Sequence, residues 1–154
     1  MTLNIGSAAP DFTLFDTEKN TVTLSELKGQ KVLLLFFPLA FTSTCIKELC
    51  GVRDNISTYN NAKVKVLGIS VDSLFTLNKF KTEQGLNFVL LSDFNKDVST
   101  KYETIYEEFG FGMKGVSKRS AYLIDNEGYI IYKEVLENAS EVPDFLKIQS
   151  CLLA

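Results

Sequence analysis

An α/β fold, with a mixed central sheet and helices on both of its faces, follows from three features of this 154-residue sequence. Segments of strand character alternate with segments of helical spacing through most of the chain. Two of the strand segments, "KVLLLFF" (31–37) and "VKVLGISV" (64–71), are apolar almost throughout, as strands covered on both faces are. Near the C-terminus, two alternating segments flank a three-residue turn and read as an antiparallel pair. The length and the 45% hydrophobic content suit one domain over residues 1–154 with a sizeable core.

Taken in order, "DFTLF" and "TVTL" alternate apolar and polar residues around the turn-like "DTEKN", which predicts a hairpin. "SELKG" forms one helical turn ending at Gly29, and the buried strand 31–37 follows. Beyond it, Ile46, Leu49, Val52, Ile56 and Tyr59 keep helical spacing as far as "NNAK". After the strand 64–71, a helix begins at Ser73, a natural N-cap, and ends at Gly85. "FVLLSD" is a short strand, and "NKDVSTKYETIYEEFG" is helix-like with a break near Glu103. "RSAYLID", the turn "NEG" and "YIIYKEVL" predict the second hairpin. "SEVPDFLKIQSCLLA" closes the chain as a helix with Phe145, Ile148, Leu152 and Leu153 facing in.

Composition removes several classes of function. The chain has no histidine, which excludes Ser-His-Asp triads, Cys-His dyads and imidazole bases together. Three cysteines are too few for an all-thiolate zinc site, and Cys45 and Cys50 lack zinc-knuckle spacing, so neither a metal nor another cofactor is expected. The net charge of -3, with basic residues scattered, offers no stripe for nucleic acid or an anionic membrane. No run approaches the roughly 18 apolar residues of a spanning helix, and the N-terminus lacks a signal-like apolar region. The expectation is a cytoplasmic protein without a disulfide framework.

What remains is a thiol at a strand-to-helix junction. Pro38 ends the strand because it has no N–H for the ladder. Thr42, Ser43 and Thr44 are N-cap candidates, so Cys45 falls in or beside the first helical turn. Free amides and the positive end of the helix dipole favour an anion there, so the thiolate is favoured without any imidazole. Glu48 reads as a first-turn carboxylate, which the same dipole favours. On composition alone a free cysteine is more often a small buried hydrophobe, and Thr42 and Arg119 read equally as a cap and an edge charge.

Jointly these residues carry a resemblance. Pro38, Thr42 and Cys45 stand as P-x-x-x-T-x-x-C, the active-site signature of the peroxiredoxins. "IGSAAPDFTLFD" resembles the opening of that family, and "RSAYLIDNEGYI" its late hairpin, which begins with the catalytic arginine. "FFPLAFTSTC" is especially similar to the alkyl hydroperoxide reductase E group, and the offset from Cys45 to Cys50 to the Q-type group. The resemblance implies a thioredoxin fold with an N-terminal extension. It implies that Cys45 is the peroxidatic nucleophile, that Thr42 aligns the peroxide, that Pro38 shields the sulfur and that Arg119 stabilises charge along the O–O axis. Glu48 would orient Arg119. The implied partners are a peroxide and a thioredoxin-like or other dithiol reductant, with the chain a monomer or a homodimer.

By the same resemblance Cys50 is the resolving thiol. Five residues of helix separate the two sulfurs by roughly 7.5 Å along the axis, whereas a disulfide needs Cα atoms about 4.4 to 6.8 Å apart. Resolution by Cys50 therefore requires local unwinding, and an external thiol is the alternative. Cys151 matches no motif position and reads as a partly buried helix residue, the alternative being a resolving thiol reached by a mobile tail or from a neighbouring subunit. A second reading is a thioredoxin-fold redox sensor or binding module in which oxidation at Cys45 alters a partner contact. The walls of a peroxide pocket are expected near Phe41 and Phe111, and "EEFGFGM" reads either as such a wall or as a subunit contact.

Overall fold

Alternation of side chains along the central strand dictates a two-faced core. In the computed structural model, which describes residues 2–152, strand β3 (Lys31–Phe36) is buried nearly throughout. Leu33, Leu35 and Phe37 enter one apolar cluster, while Val32, Leu34 and Phe36 enter the other. The period of two thus places successive residues in opposite cores.

The other strands are β1 (Thr13–Asp16), β2 (Thr21–Thr23), β4 (Val64–Ser70), β5 (Val89–Ser92), β6 (Arg119–Ile124) and β7 (Ile130–Leu136). They form one seven-stranded sheet in the order β2-β1-β5-β4-β3-β6-β7. The pairs β3–β4 and β4–β5 are parallel and the remaining pairs antiparallel, giving the mixed sheet expected. Helices α1 (Ser43–Asp54), α2 (Ile56–Asn61), α3 (Leu74–Gln84) and α5 (Phe145–Leu152) contribute to the first cluster. Helix α4 (Asp97–Lys101) contributes Val98 to the second, where Phe12 and Leu24 also pack. Gly68 of β4 permits this packing, because a Cβ there would stand 2.7 Å from Leu90 Cδ2.

Four elements differ from the sequence reading. The helix expected from Cys45 to "NNAK" is interrupted at Asn55, whose ψ of 18° leaves the helical range and whose side chain donates to the Gly51 carbonyl. The helix-like run after Asn95 breaks where expected, with Glu103 at a φ of 61°, yet only Asp97–Lys101 is helical. Beyond the break the chain crosses to a bridge between Ile105 and Ser117. "SELKG" is a short 3-10 turn, Leu24–Leu27. The closing helix starts only after Pro143, capped by Asp144, whose carboxylate accepts from the Lys147 amide at 3.1 Å. Ile148 and Leu152 face inward as expected, Phe145 is half-buried against them, and Leu153 lies outside the described residues. No helix among the described residues is long and apolar enough to cross a membrane.

Candidate active site

The junction after β3 is built by the loss of one donor. Phe37 still gives its amide to Ile69 O at 3.0 Å, and the ladder stops at Pro38. The chain then turns through Phe41, whose φ of 69° is left-handed. That conformation costs roughly 1–2 kcal/mol for a residue with a side chain. The Phe41 ring packs edge-on against Phe80 of α3, with centroids 5.1 Å apart, which offsets part of the strain. Thr42 is the N-cap of α1 by position, but its side chain does not cap. Its hydroxyl donates to Leu39 O at 2.7 Å instead, leaving the first-turn amides of α1 to other acceptors.

Cys45 is the third residue of α1 and is fully buried. Arg119, the first residue of β6, reaches it across 74 positions of sequence, because β6 runs antiparallel to β3 with Ser120 opposite Phe36. The start of one strand thus stands beside the end of the other. Arg119 Nη1 donates to Cys45 Sγ at 3.3 Å and to Glu48 Oε1 at 2.8 Å, and Nη2 donates to the Ala139 carbonyl at 3.0 Å. Arg119 is 1% exposed and the Glu48 side chain 0%, so this contact is buried on both sides. Two of its polar atoms, Glu48 Oε2 and Arg119 Nε, have no hydrogen-bond partner.

Burial pushes the Glu48 carboxyl up to about 7, against the opposing pull of Arg119. Burial works against the Arg119 charge, and the nearby Glu48 and Cys45 outweigh it, so the guanidinium stays ionised. Glu48 is the sixth residue of α1, not a first-turn residue, since the helix begins two residues before Cys45. Its place at the arginine therefore owes nothing to a cap.

A hollow of about 240 Å³ opens beside this cluster, lined by Pro38, Thr42, Ser43, Thr44, Phe109, Arg119, Ala139 and Ser140. Pro38, Thr42 and Arg119 thus line one hollow, which the fully buried Cys45 does not itself reach. The expectation for Phe111 fails: it is fully exposed at the tip of its loop, and Phe41 does not line the hollow. Phe109 does, because the left-handed φ of 62° at Phe111 turns the loop tip away. "EEFGFGM" is therefore a wall only through Phe109. Ala139 contributes through its backbone, which no side-chain pattern announces.

Cys50 lies on the same unbroken helix and packs against α3, its thiol 3.5 Å from Gln84 Oε1. Cys45, Cys50 and Cys151 are all free thiols. Cys151 is half-buried on α5 against the first core cluster, as the sequence suggests.

The sequence over residues 5–133 matches the AhpC/TSA family. The chain is 42% identical to "Putative peroxiredoxin bcp" of Coxiella burnetii over 132 residues, 84% of this chain and 87% of the relative. It is 39% identical to "Alkyl hydroperoxide reductase E" of Mycobacterium bovis over 145 residues, 92% of this chain and 91% of the relative. Among solved structures it is similar to peroxidoxin BcpB from Mycobacterium tuberculosis, with a TM-score of 0.86, 26% identity and coverage of 98% and 97%. A PrxQ mutant from Xylella fastidiosa, 23% identical with a TM-score of 0.88 over 99% of this chain and 97% of the other, speaks for the fold alone. The seven-stranded sheet with its flanking helices is accordingly a thioredoxin fold carrying an N-terminal hairpin. The chain belongs to the AhpC/TSA family, the peroxiredoxins, and is a thiol-dependent peroxidase.

Proposed function

We propose that Cys45 is the peroxidatic nucleophile and that Pro38, Thr42, Glu48 and Arg119 form its working environment, with residues 1–154 acting as one unit. The observation that carries this is the 3.3 Å contact from Arg119 Nη1 to Cys45 Sγ, set beside a hollow that Thr42 lines. The Cys45 thiolate attacks one peroxide oxygen in line with the O–O bond. An S–O bond forms, the O–O bond breaks, the sulfur is oxidised to sulfenic acid, and the second oxygen leaves as hydroxide or alkoxide and takes up a proton. Hydrogen peroxide and organic hydroperoxides fit this step equally.

Each neighbour has a physical task. Thr42 has committed its proton to Leu39 O, so its oxygen is turned into an acceptor for the peroxide O–H. Arg119, held on two other acceptors, meets the charge that develops on the departing oxygen without reorganising. Glu48 holds that guanidinium in place, and Pro38 presents an apolar wall with no competing donor. Because Cys45 is fully buried, the peroxide reaches the sulfur once covering groups other than Arg119 move aside.

Cys50 then condenses with the sulfenic acid, releasing water and forming a disulfide once the first turns of α1 unwind. A thioredoxin-like or other dithiol reductant restores both thiols, and a cytoplasmic setting suits three free cysteines. All these residues come from one chain, so a monomer or a homodimer serves. Substoichiometric protein should consume peroxide repeatedly with excess dithiol, and Cys45→Ser should abolish the turnover. Turnover that survives the substitution would remove Cys45 from the role.

A further inference from the structure

Arg119 Nη1 serves two acceptors that both carry negative charge when ionised, Cys45 Sγ at 3.3 Å and Glu48 Oε1 at 2.8 Å. Bonds of those lengths to one nitrogen hold the two acceptor atoms no more than about 6 Å apart. Both are buried, and like charges at that range repel strongly where little solvent screens them. One guanidinium balances one anion, not two.

The second oxygen of Glu48 tells the same story from the other side. Oε2 is buried without a partner, an arrangement costly for a carboxylate and tolerable for a carboxylic acid. Glu48 also lines a cavity of about 160 Å³ between α1 and α5, on which Tyr59 and Gln149 border. That volume admits several waters at about 30 Å³ each. The charged or titratable groups around Glu48 are Arg119 of β6, Cys45 and Lys47 of α1 and Tyr59 of α2; α5 offers the cavity only the uncharged Phe145 and Gln149. Burial raises the Glu48 carboxyl toward neutrality, in keeping with a group that exchanges its proton there.

We propose that Cys45 and Glu48 form a one-anion pair on Arg119: Glu48 keeps its proton while the sulfur is a thiolate, and releases it through the α1–α5 cavity when peroxide turns the sulfur into neutral sulfenic acid. This rests on the reading of Cys45 as the peroxidatic thiol. For hydrogen peroxide the balance is thiolate plus peroxide plus carboxylic acid giving sulfenic acid, water and carboxylate. The hydroxide that leaves takes one proton from solvent at the hollow, and Glu48 returns one to solvent through the cavity. The buried cluster keeps the same net charge before and after oxidation.

The test is infrared difference spectroscopy slightly above neutral pH on the Cys50→Ser protein, which holds the sulfenic acid, with a pH indicator in weak buffer and mass analysis of Cys45. One equivalent of hydrogen peroxide should remove the C=O stretch of a protonated carboxyl with no net proton change. In the added Glu48→Gln variant that band change should vanish and about one proton should be taken up per Cys45 oxidised. In Cys45→Ser, which has no competing thiolate, Glu48 should already be ionised and no such band should be lost. A carboxyl band that is missing in the reduced protein, or that persists after mass analysis finds Cys45 oxidised, overturns the pairing while leaving the peroxidase reading intact. Failure of Cys45 to oxidise at all overturns both.

Discussion

Gly51 offers a direct measure of whether α1 must open for Cys50 to reach Cys45. It follows Cys50 in the helix interior, exposed, and a Cβ added there meets nothing within 4 Å. Alanine therefore fits without strain and gains about 1 kcal/mol over glycine in a helix. Opening the turn that holds Lys47 to Cys50 takes the Lys47 carbonyl away from the Gly51 amide, releasing residue 51 from the helix. Beyond it the chain stays fastened, because Arg53 Nη1 donates to Gln84 O and Asn87 Nδ2 donates to Arg53 O. Residue 51 then becomes the N-cap of the shortened helix, where glycine is preferred to alanine. Both effects disfavour the open form, and about 1 kcal/mol lowers its population about fivefold. Gly51→Ala should thus raise Tm by about 2–4 °C and slow formation of the Cys45–Cys50 disulfide at least about fivefold. The assay is alkylation quenching at timed intervals after one equivalent of peroxide, with peptide mapping. If Tm rises while the disulfide forms at the wild-type rate, helix opening does not limit resolution and the reasoning is wrong.

Four further outcomes can be measured. Arg119→Lys replaces a fork that reaches Sγ, Glu48 and Ala139 O with a single point charge, and stopped-flow oxidation should show kcat/KM for peroxide down about 100-fold or more. Thr42→Val keeps the shape but loses the acceptor oxygen, so kcat/KM should fall about tenfold while Thr42→Ser retains most of it. Glu48 has a folded value raised to about 7 from 4.5, so its contribution to stability is complete below pH 4.5 and is lost as pH rises through about 7. Urea unfolding should show that Glu48→Gln removes about 3 kcal/mol of this decline between those limits. Gly68→Ala should destabilise by about 1–3 kcal/mol in the same assay, since its Cβ would press Leu90 Cδ2 at 2.7 Å with Phe37 and Phe88 at 3.5 Å behind it.

The elements of this fold were legible where periodicity and punctuation agreed. Strand β3 is apolar at every residue after Lys31 because both its faces are covered, and Pro38 marks the end of its ladder. Helix α3 carries its own signs, with Ser73 accepting from the Thr76 amide and Gly85 closing at a φ of 60°. Helical spacing ran on past Asn55 because Ile56 and Tyr59 keep the pattern, although the axis breaks there. The hollow was less legible. Phe109 and Phe111 are chemically alike and two residues apart, and only the backbone turn between them decides which one lines it. The Ala139 carbonyl and the Gln84 contact to Cys50 rest on loop paths and helix docking that no local pattern encodes.

The arginine was legible as a residue, but its arrival at the sulfur is a matter of register. Along β6, Ala121 and Leu123 enter the core cluster that contains Cys45, while Tyr122 and Ile124 enter the opposite one. Arg119 shares the parity of Ala121, so it points to the side of α1. A slip of one residue against β3 would send Arg119 to the far face and put Ser120 beside the sulfur. The same slip would drive Tyr122 out of the ring cluster in which it meets Phe36 and Tyr102 and donates to Tyr102 O at 2.6 Å. The one irregularity in β6 lies between Leu123 and Ile124, at the end away from Arg119. Apolar packing on the face opposite the site therefore sets the register that delivers a guanidinium to a thiol in a chain without histidine.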